Sequence, residues 1–328
     1  MASQYFCLGI DTSCYTTSLA IINDQGDLVS EKRQVLQVTE GKRGLQQSEA
    51  LFQHLLNLPK LWQDLAGEIK IANLALIAVS TRPRPHVDSY MPVFLAGKSF
   101  AQTLATTLKI PLLETTHQEG HLAAAFYHNI EVNNDMNYYA VHCSGGTTEI
   151  LSVQTINAGV SFATEIIGGS LDLKMGQLLD RLGVVLGAEF PAGPVLETWA
   201  TNATENLPIK VKTKDGYFNL SGFENILLKY KNQGTSKENI ALAMQNIVVE
   251  CLSLSLIQLL PKDKQATILM FGGVLSNIYI REQLKIVLQA REKKWKLVFA
   301  MPRLSSDNAV GVAKIGIEKI KRKGVSIV

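Results

Sequence analysis

One order of elements runs through the chain twice, and that repeat constrains the fold more than any single motif does. In the first half, Tyr5–Ile10 reads as an apolar strand, Asp11–Thr17 as a polar turn and Ser18–Ile22 as a second strand. A turn at Asn23–Gly26 and a third strand over Leu28–Val35 complete a meander. The second half repeats it with Tyr138–His142, the polar turn Cys143–Thr148, and strands over Glu149–Val153 and Val160–Ile167. Both polar turns end in a threonine pair, Thr16-Thr17 and Thr147-Thr148. Each meander is followed by alternating helices and strands. The first half continues with a helix over Leu45–Leu65, a strand over Leu74–Val79, a helix over Tyr90–Leu108, a strand over Leu112–Glu114 and a helix from Glu119. The second continues with helices over Leu171–Leu186, Pro194–Ala200 and Lys237–Leu260. Then come a strand over Ala266–Phe271, a helix over Asn277–Gln289, a strand over Lys296–Ala300 and a last helix over Ser306–Lys321.

This element order, doubled, is similar to that of the actin-like ATPase (ASKHA) group. It predicts a duplicated α/β fold, two lobes with mixed sheets flanked by helices and a central cleft. The expected division is a first lobe over 1–115 and a second over 116–328. The second carries a helical insertion around 170–260, and the last helix is free to pack back on the first lobe. With 328 residues, 46% apolar and 19% charged, the chain has ample core and lacks the composition of a disordered one. Its most apolar stretch, Ile240–Leu260, is broken by Gln245, Asn246 and Glu250, so no membrane span is expected. The first seven residues carry no basic region and no cleavage site, and the expected location is cytoplasmic. A net charge of +3 permits contact with nucleic acid without demanding it. Cys7, Cys14, Cys143 and Cys251 form no C-x-x-C pair and read as reduced, buried thiols.

Three motifs carry chemistry. Asp11, at the end of the first strand, sits where a carboxylate holds a metal-bound water or orients a nucleophile. The same residues also read as an ordinary turn with an Asx-type bond. His117 and His121, four apart on a helix, face one side and are close enough to share a metal ion. Two histidines are too few for a site, so a carboxylate has to come from elsewhere. Glu119 stands at the wrong position for the base of an H-E-x-x-H protease, and Gly120 reads as a helix start. Gly272 and Gly273 follow the strand Ala266–Phe271; paired glycines there let backbone approach a flat ligand, and Asn277 is placed to cap the next helix.

Taken together, seven blocks in order along the chain resemble the threonylcarbamoyladenosine transferase (TsaD) family, whose older label is glycoprotease. Gly9–Cys14 resembles its G-I-E-T-S-C, His117–Ala123 its H-M-E-G-H-L-L/A, and Ser144-Gly145-Gly146 its S-G-G loop. Asp180 falls on the aspartate of G-E-A-F-D-K, Pro191–Pro194 on P-G-G-P, Gly272–Asn277 on G-G-V-S-A-N, and Ser306–Asn308 on T-D-N. The resemblance implies one divalent metal, iron or zinc, held by His117, His121 and Asp307. It implies ATP or threonylcarbamoyl-AMP, with magnesium as a companion ion, near Ser144, Gly145, Gly146, Asp180, Gly193, Gly272, Gly273 and Asn277. The implied reaction is acyl transfer: the N6 amine of a tRNA adenine attacks the carbamoyl carbon and AMP leaves.

The chain departs from the family pattern at several positions. Tyr15-Thr16 replaces an acidic pair, Thr147 a histidine, Gln177 a glutamate and Leu173 one aspartate of a pair whose other member is Asp172. Arg82-Pro83-Arg84 replaces G-P-G, and Glu224 a lysine. These changes predict a divergent paralogue with altered or lost activity. Two alternatives accompany the tRNA transferase: an ATP-dependent carbamoyl or phosphoryl transferase acting on a small molecule, and a non-catalytic regulatory partner. A homodimer, or a heterodimer with another superfamily member, belongs to the last. Arg82, Arg84 and the tail Lys319–Lys323 are candidates for tRNA phosphate contact, and the tail also reads as a solvated helix end. A protease has no support, because His142 and Cys143 are adjacent on a strand and point to opposite faces.

Overall fold

The structure, a computed structural model, describes residues 4–13, 15–38, 45–85, 88–127, 137–156, 160–262, 264–291 and 294–323. Cys14 of the opening motif lies outside them. The chain divides into two compact units, 1–136 with 154–163 and 307–328, and 137–153 with 164–306.

In the first unit the elements are β1 (Phe6–Thr12), β2 (Thr16–Asn23), β3 (Leu28–Val35), α1 (Gln47–Ala66), β4 (Leu74–Ser80), α2 (Phe94–Leu108), β5 (Leu112–Thr115) and α3 (His117–Phe126). The sheet order is β3-β2-β1-β4-β5, antiparallel from β1 to β3 and parallel from β1 to β5. Strand β1 is buried along its whole length, as a central strand covered on both faces must be. Phe6, Leu8 and Ile10 join a core with Leu58 and Leu65 of α1 and Ala101 and Ala105 of α2. The alternate residues Cys7 and Gly9 face the final helix of the chain.

The second unit contains β6 (Asn137–Cys143), most of β7 (Thr148–Ile156) and β8 (Ser161–Ser170), α4 (Met175–Val185), α5 (Gly193–Ala200), β9 (Tyr217–Phe218), α6 (Ser221–Asn232), α7 (Lys237–Leu259), β10 (Ala266–Phe271), α8 (Ile278–Arg291), β11 (Trp295–Phe299) and α9 (Pro302–Ser305). The last helix, α10 (Val310–Lys323), belongs to the first unit, where it packs on β1, β2, β4 and α3. The second sheet runs β11-β10-β6-β7-β8-β9. Read from β8, the order β8-β7-β6-β10-β11 is that of β3-β2-β1-β4-β5. The repeat in the sequence is therefore a repeat of topology.

Helix α7 is long and apolar enough to cross a membrane by length and composition, yet 72% of its most apolar window is buried inside the protein. It is apolar on nearly every side because it is the central helix of the second core, with Met244, Ile247, Val248, Leu252 and Leu256 all packed there.

Element ends differ from expectation for local reasons. The last helix begins at Val310 rather than Ser306, because the Asn308 carboxamide accepts from the Val310 N–H at 3.0 Å and caps it. Helix α4 begins at Met175 rather than Leu171; the Asp172 carboxylate accepts from Leu173 N–H and holds a turn instead. Helices α6 and α9 and strand β9 are additions to the expected elements.

Candidate metal centre and strand-end loops

Parallel strands bring their C-terminal ends to one edge, where open α/β sheets place their ligands. At that edge of the first sheet lie Asp11 on β1, Ser80 on β4, and Thr115 to His117 after β5. Asp11 is fully buried. Its Oδ1 accepts a hydrogen bond from the Ser80 hydroxyl and another from His117 Nδ1 at 3.0 Å. Its Oδ2 has no hydrogen-bond partner among the described residues.

Helix α3 starts two residues earlier than the sequence indicated. Thr116 accepts from Glu119 N–H at 3.2 Å, and the Glu119 carboxylate accepts from Thr116 N–H at 3.0 Å, a complete capping box. Glu119 is thus spent on the helix start. The carbonyls of Arg82 and Pro83 accept from the N–H groups of His117 and Gln118, so the departing Arg-Pro-Arg segment is docked on the first turn of α3. Gly120 lies inside α3, not at its start. A Cβ on Gly311 of α10 would overlap the Gly120 carbonyl, so the two helices touch backbone to backbone there.

That contact brings Asp307 to the histidines. Asp307 lies just before α10, with Ala309 N–H donating to the Ser18 hydroxyl of β2 at 2.9 Å. Asp307 Oδ1 is 3.5 Å from His117 Nε2 and 3.4 Å from His121 Nε2, and the two Nε2 atoms are 3.1 Å apart. Donors bonded tetrahedrally to one ion at about 2.0–2.2 Å stand about 3.3–3.6 Å from each other; both distances to Asp307 lie in that range and the Nε2 pair is slightly closer, a triangle of the size that holds a single zinc- or iron-sized ion. Two imidazoles and a carboxylate are also the donor types such ions take. Asp11 on Nδ1 fixes the His117 tautomer that leaves Nε2 for an ion.

The electrostatics match. Burial disfavours a charged His117, but Asp11 and Asp307 outweigh it and push the imidazole up to about 10. Burial, and the charge on His117, push His121 down. Burial would raise Asp307, yet the two histidines hold it well below the usual carboxylate range. Asp11 is lowered in the same way: burial opposes it and His117 prevails.

Behind this cluster stands a third histidine that sequence reasoning passed over. His54 of α1 is fully buried, with Nε2 2.8 Å from the Ser13 carbonyl and Nδ1 2.8 Å from the Thr17 hydroxyl. A carbonyl only accepts, so Nε2 carries the proton. Burial lowers the pKa and keeps the ring neutral, so Nδ1 accepts from Thr17. Asn57 completes the brace by donating to the same hydroxyl at 3.2 Å. The register pairs Thr12 with Thr17 and Asp11 with Ser18, so His54 secures the hairpin end carrying both Asp11 and the Ser18 hydroxyl. Only a lone histidine at a buried helical spacing could have signalled it.

The second sheet repeats the edge. Parallel β6 and β10 pair His142 with Phe271, so the loops after them emerge together. Ser144 Oγ accepts from Gly146 N–H at 3.3 Å and Thr147 N–H at 3.1 Å, shaping the Ser144-Gly145-Gly146 turn. Gly176 N–H donates to the Ser144 carbonyl, docking α4 on that turn. Gly272, at φ 101°, presses against the Cys143 carbonyl, while Gly273 and Gly193 border open space. Asn277 Oδ1 accepts from Ile280 N–H at 2.9 Å and caps α8. Asp180 accepts from Ala192 N–H at 2.8 Å, and burial raises its pKa. Among the departures, Glu224 lies 3.6 Å from Arg181, and the Gln177 side-chain Oε1 accepts from Lys174 N–H at 3.3 Å. Cys143 is buried against Met175, with its thiol pushed up by burial, unlike a nucleophile.

Comparison with known proteins gives the same direction. A family model described as tRNA N6-adenosine threonylcarbamoyltransferase matches residues 29–314. A protein of that name from Thermosipho africanus is 30% identical, covering 97% of this chain and 95% of its own. Its namesake from Fusobacterium nucleatum is 28% identical, over 96% and 91%. Among solved structures, component A of the (R)-2-hydroxyglutaryl-CoA dehydratase from Acidaminococcus fermentans superposes with a TM-score of 0.57 at 15% identity, over 97% of this chain and all of that one. An activator of 2-hydroxyisocaproyl-CoA dehydratase from Clostridium difficile gives 0.54 at 13%, over 98% of each. These likenesses are of fold, the actin-like ATPase fold.

Proposed function

Because the chain belongs to the tRNA N6-adenosine threonylcarbamoyltransferase family, we propose that it transfers a threonylcarbamoyl group to a tRNA adenine at a metal centre in its first unit. The observation that carries this reading is the convergence of His117, His121 and Asp307, with ligand atoms within 4.8 Å of one another. In the reaction the adenine N6 forms a bond to the carbamoyl carbon, the bond from that carbon to the AMP phosphate oxygen breaks, and the N6 proton is lost. The ion, iron or zinc, would supply Lewis acidity toward the carbamoyl or phosphate oxygens. Asp11 acts through His117, holding its ring and its Nδ1 proton. The loops at Ser144–Gly146, Gly193, Gly272-Gly273 and Asn277, with Asp180 steadying the start of α5, are assigned to the adenylate. ATP and magnesium would use the same loops. Such chemistry belongs in the cytoplasm, where tRNA is modified.

The departures from the family pattern support altered surroundings rather than lost chemistry. Glu224 and Gln177 are absorbed by Arg181 and by the start of α4, while the ligand triangle and Asp11 are complete. Calorimetric titration of ATP and threonylcarbamoyl-adenylate into metal-loaded protein, with His117→Ala as control, tests the reading. Micromolar binding and AMP release dependent on tRNA are expected of the native chain, and loss of turnover in the variant. Binding of neither nucleotide would refute the transferase assignment.

A further inference from the structure

Residues 203–213, between α5 and β9, form neither helix nor strand, yet exposure alternates along their second half. Ile209, Val211 and Thr213 are half-buried, whereas Lys210, Lys212 and Lys214 are exposed. Leu207, Ile209 and Val211 pack on the core of the second unit. Gln258 of α7 donates to the Thr213 carbonyl at 3.2 Å and accepts from Gly216 N–H at 3.0 Å, fastening the far end. A period of two is that of extended backbone, so successive lysines stand about 6.5–7 Å apart on one side. Phosphates along a nucleic-acid strand repeat on the same scale.

The three ammonium groups form no ion pair among the described residues. Lys262 and Lys264, exposed just beyond the end of α7, flank Asp263 in the sequence and leave that stretch with a net charge of +1. Within 207–216 the only carboxylate is Asp215. A chain whose net charge is only +3 binds a polyanion through local concentration of charge, and this row is such a concentration.

We infer that Lys210, Lys212 and Lys214 form a docking row for the phosphate backbone of tRNA. The identity of the partner rests on the proposed transferase reading. The row contains none of the residues assigned to the metal or the adenylate. Phosphate contacts position a nucleic acid without reading its sequence, so the row serves affinity for tRNA in general rather than choice of base.

The test is binding of an unmodified tRNA transcript to the full, metal-loaded chain across a salt series. Lys210→Gln/Lys212→Gln/Lys214→Gln is compared with a control of equal charge change at exposed lysines elsewhere, Lys60→Gln/Lys70→Gln/Lys296→Gln. The row variant is expected to bind about tenfold more weakly or worse, and the slope of log affinity against log salt to fall by about 2–3. ATP binding, metal content and thermal midpoint should match the native chain, and KM for tRNA should rise with kcat unchanged. Charge reversal to glutamate should deepen the loss. Native affinity and slope in the row variant overturn the inference. Equal loss in the control overturns it as well, since bulk charge would then be the cause. A native chain that binds no tRNA removes the transferase reading together with the row, and the missing native salt slope identifies that case.

Discussion

At the scale of single residues, the candidate metal centre of the first unit rests on side chains outside the His117, His121 and Asp307 triangle. His54 is the clearest case, because its two hydrogen bonds assign its tautomer. His54→Leu leaves the Ser13 carbonyl and the Thr17 hydroxyl short of a partner in a buried place, at a cost of about 2–5 kcal/mol. Glutamine also presents one donor and one acceptor, so His54→Gln is expected to recover most of that stability. Urea unfolding of the two variants checks this, and equal losses would mean that ring volume matters and the hydrogen bonds do not. A second expectation concerns His117. In the metal-free protein its raised pKa stabilises the fold fully below about 6.5, the ordinary histidine value, and that contribution is lost as pH climbs through about 10. Metal requires the ring without its Nε2 proton, so uptake near neutral pH should release roughly one proton. Calorimetry in buffers of different ionisation enthalpy measures the release directly.

At the scale of elements, helix α6 shows why part of the fold was hidden. Its first turn is preceded by Leu220, which offers no side-chain cap. The cap comes instead from Asp172, which accepts from Leu220 N–H at 2.7 Å, Ser221 N–H at 3.2 Å and the Ser221 hydroxyl at 2.6 Å. No window of local sequence contains that partnership. Asp172→Ala should destabilise the protein by about 1 kcal/mol. Burial opposes ionisation of Asp172, but these donors together with Leu173 N–H outweigh it and pull its pKa down to about 2. The carboxylate's support is therefore present above the ordinary value near 3.8 and is lost as pH falls toward 2. Denaturation midpoints of native and Asp172→Asn protein should converge over that interval. The meanders, the paired histidines and the glycines after β10 were legible because each is a contiguous pattern with one physical cause. Ser80, His54 and the closeness of Asp307 were not, since each depends on strands or helices meeting from distant parts of the chain. Asp307 was reachable only through the family resemblance.

At the scale of the molecule, the two units carry different halves of the proposed chemistry: the metal ligands lie wholly in the first, and the loops assigned to the nucleotide lie in the second. Metal should therefore slow amide hydrogen exchange chiefly in 4–127 and 307–323, with 164–306 changing little. Exchange mass spectrometry with and without the ion, and with His117→Ala, reads this out. Uniform protection across both units would contradict the assignment of the ligands to the first unit alone.

The backbone contact of Gly120 with Gly311 also bears on how the chain is made. Everything between α3 and Asp307 has to leave the ribosome before the last helix reaches β1. Until then the Cys7 and Gly9 side of that strand lacks the cover of the last helix, and the histidines lack the Asp307 carboxylate. A nascent chain with residues 1–136 complete thus carries a sheet that still lacks its last helix on one face through the synthesis of all that follows, a period when chaperones have a surface to hold. On the proposed reading, the full set of three metal ligands exists only once Asp307 has been made.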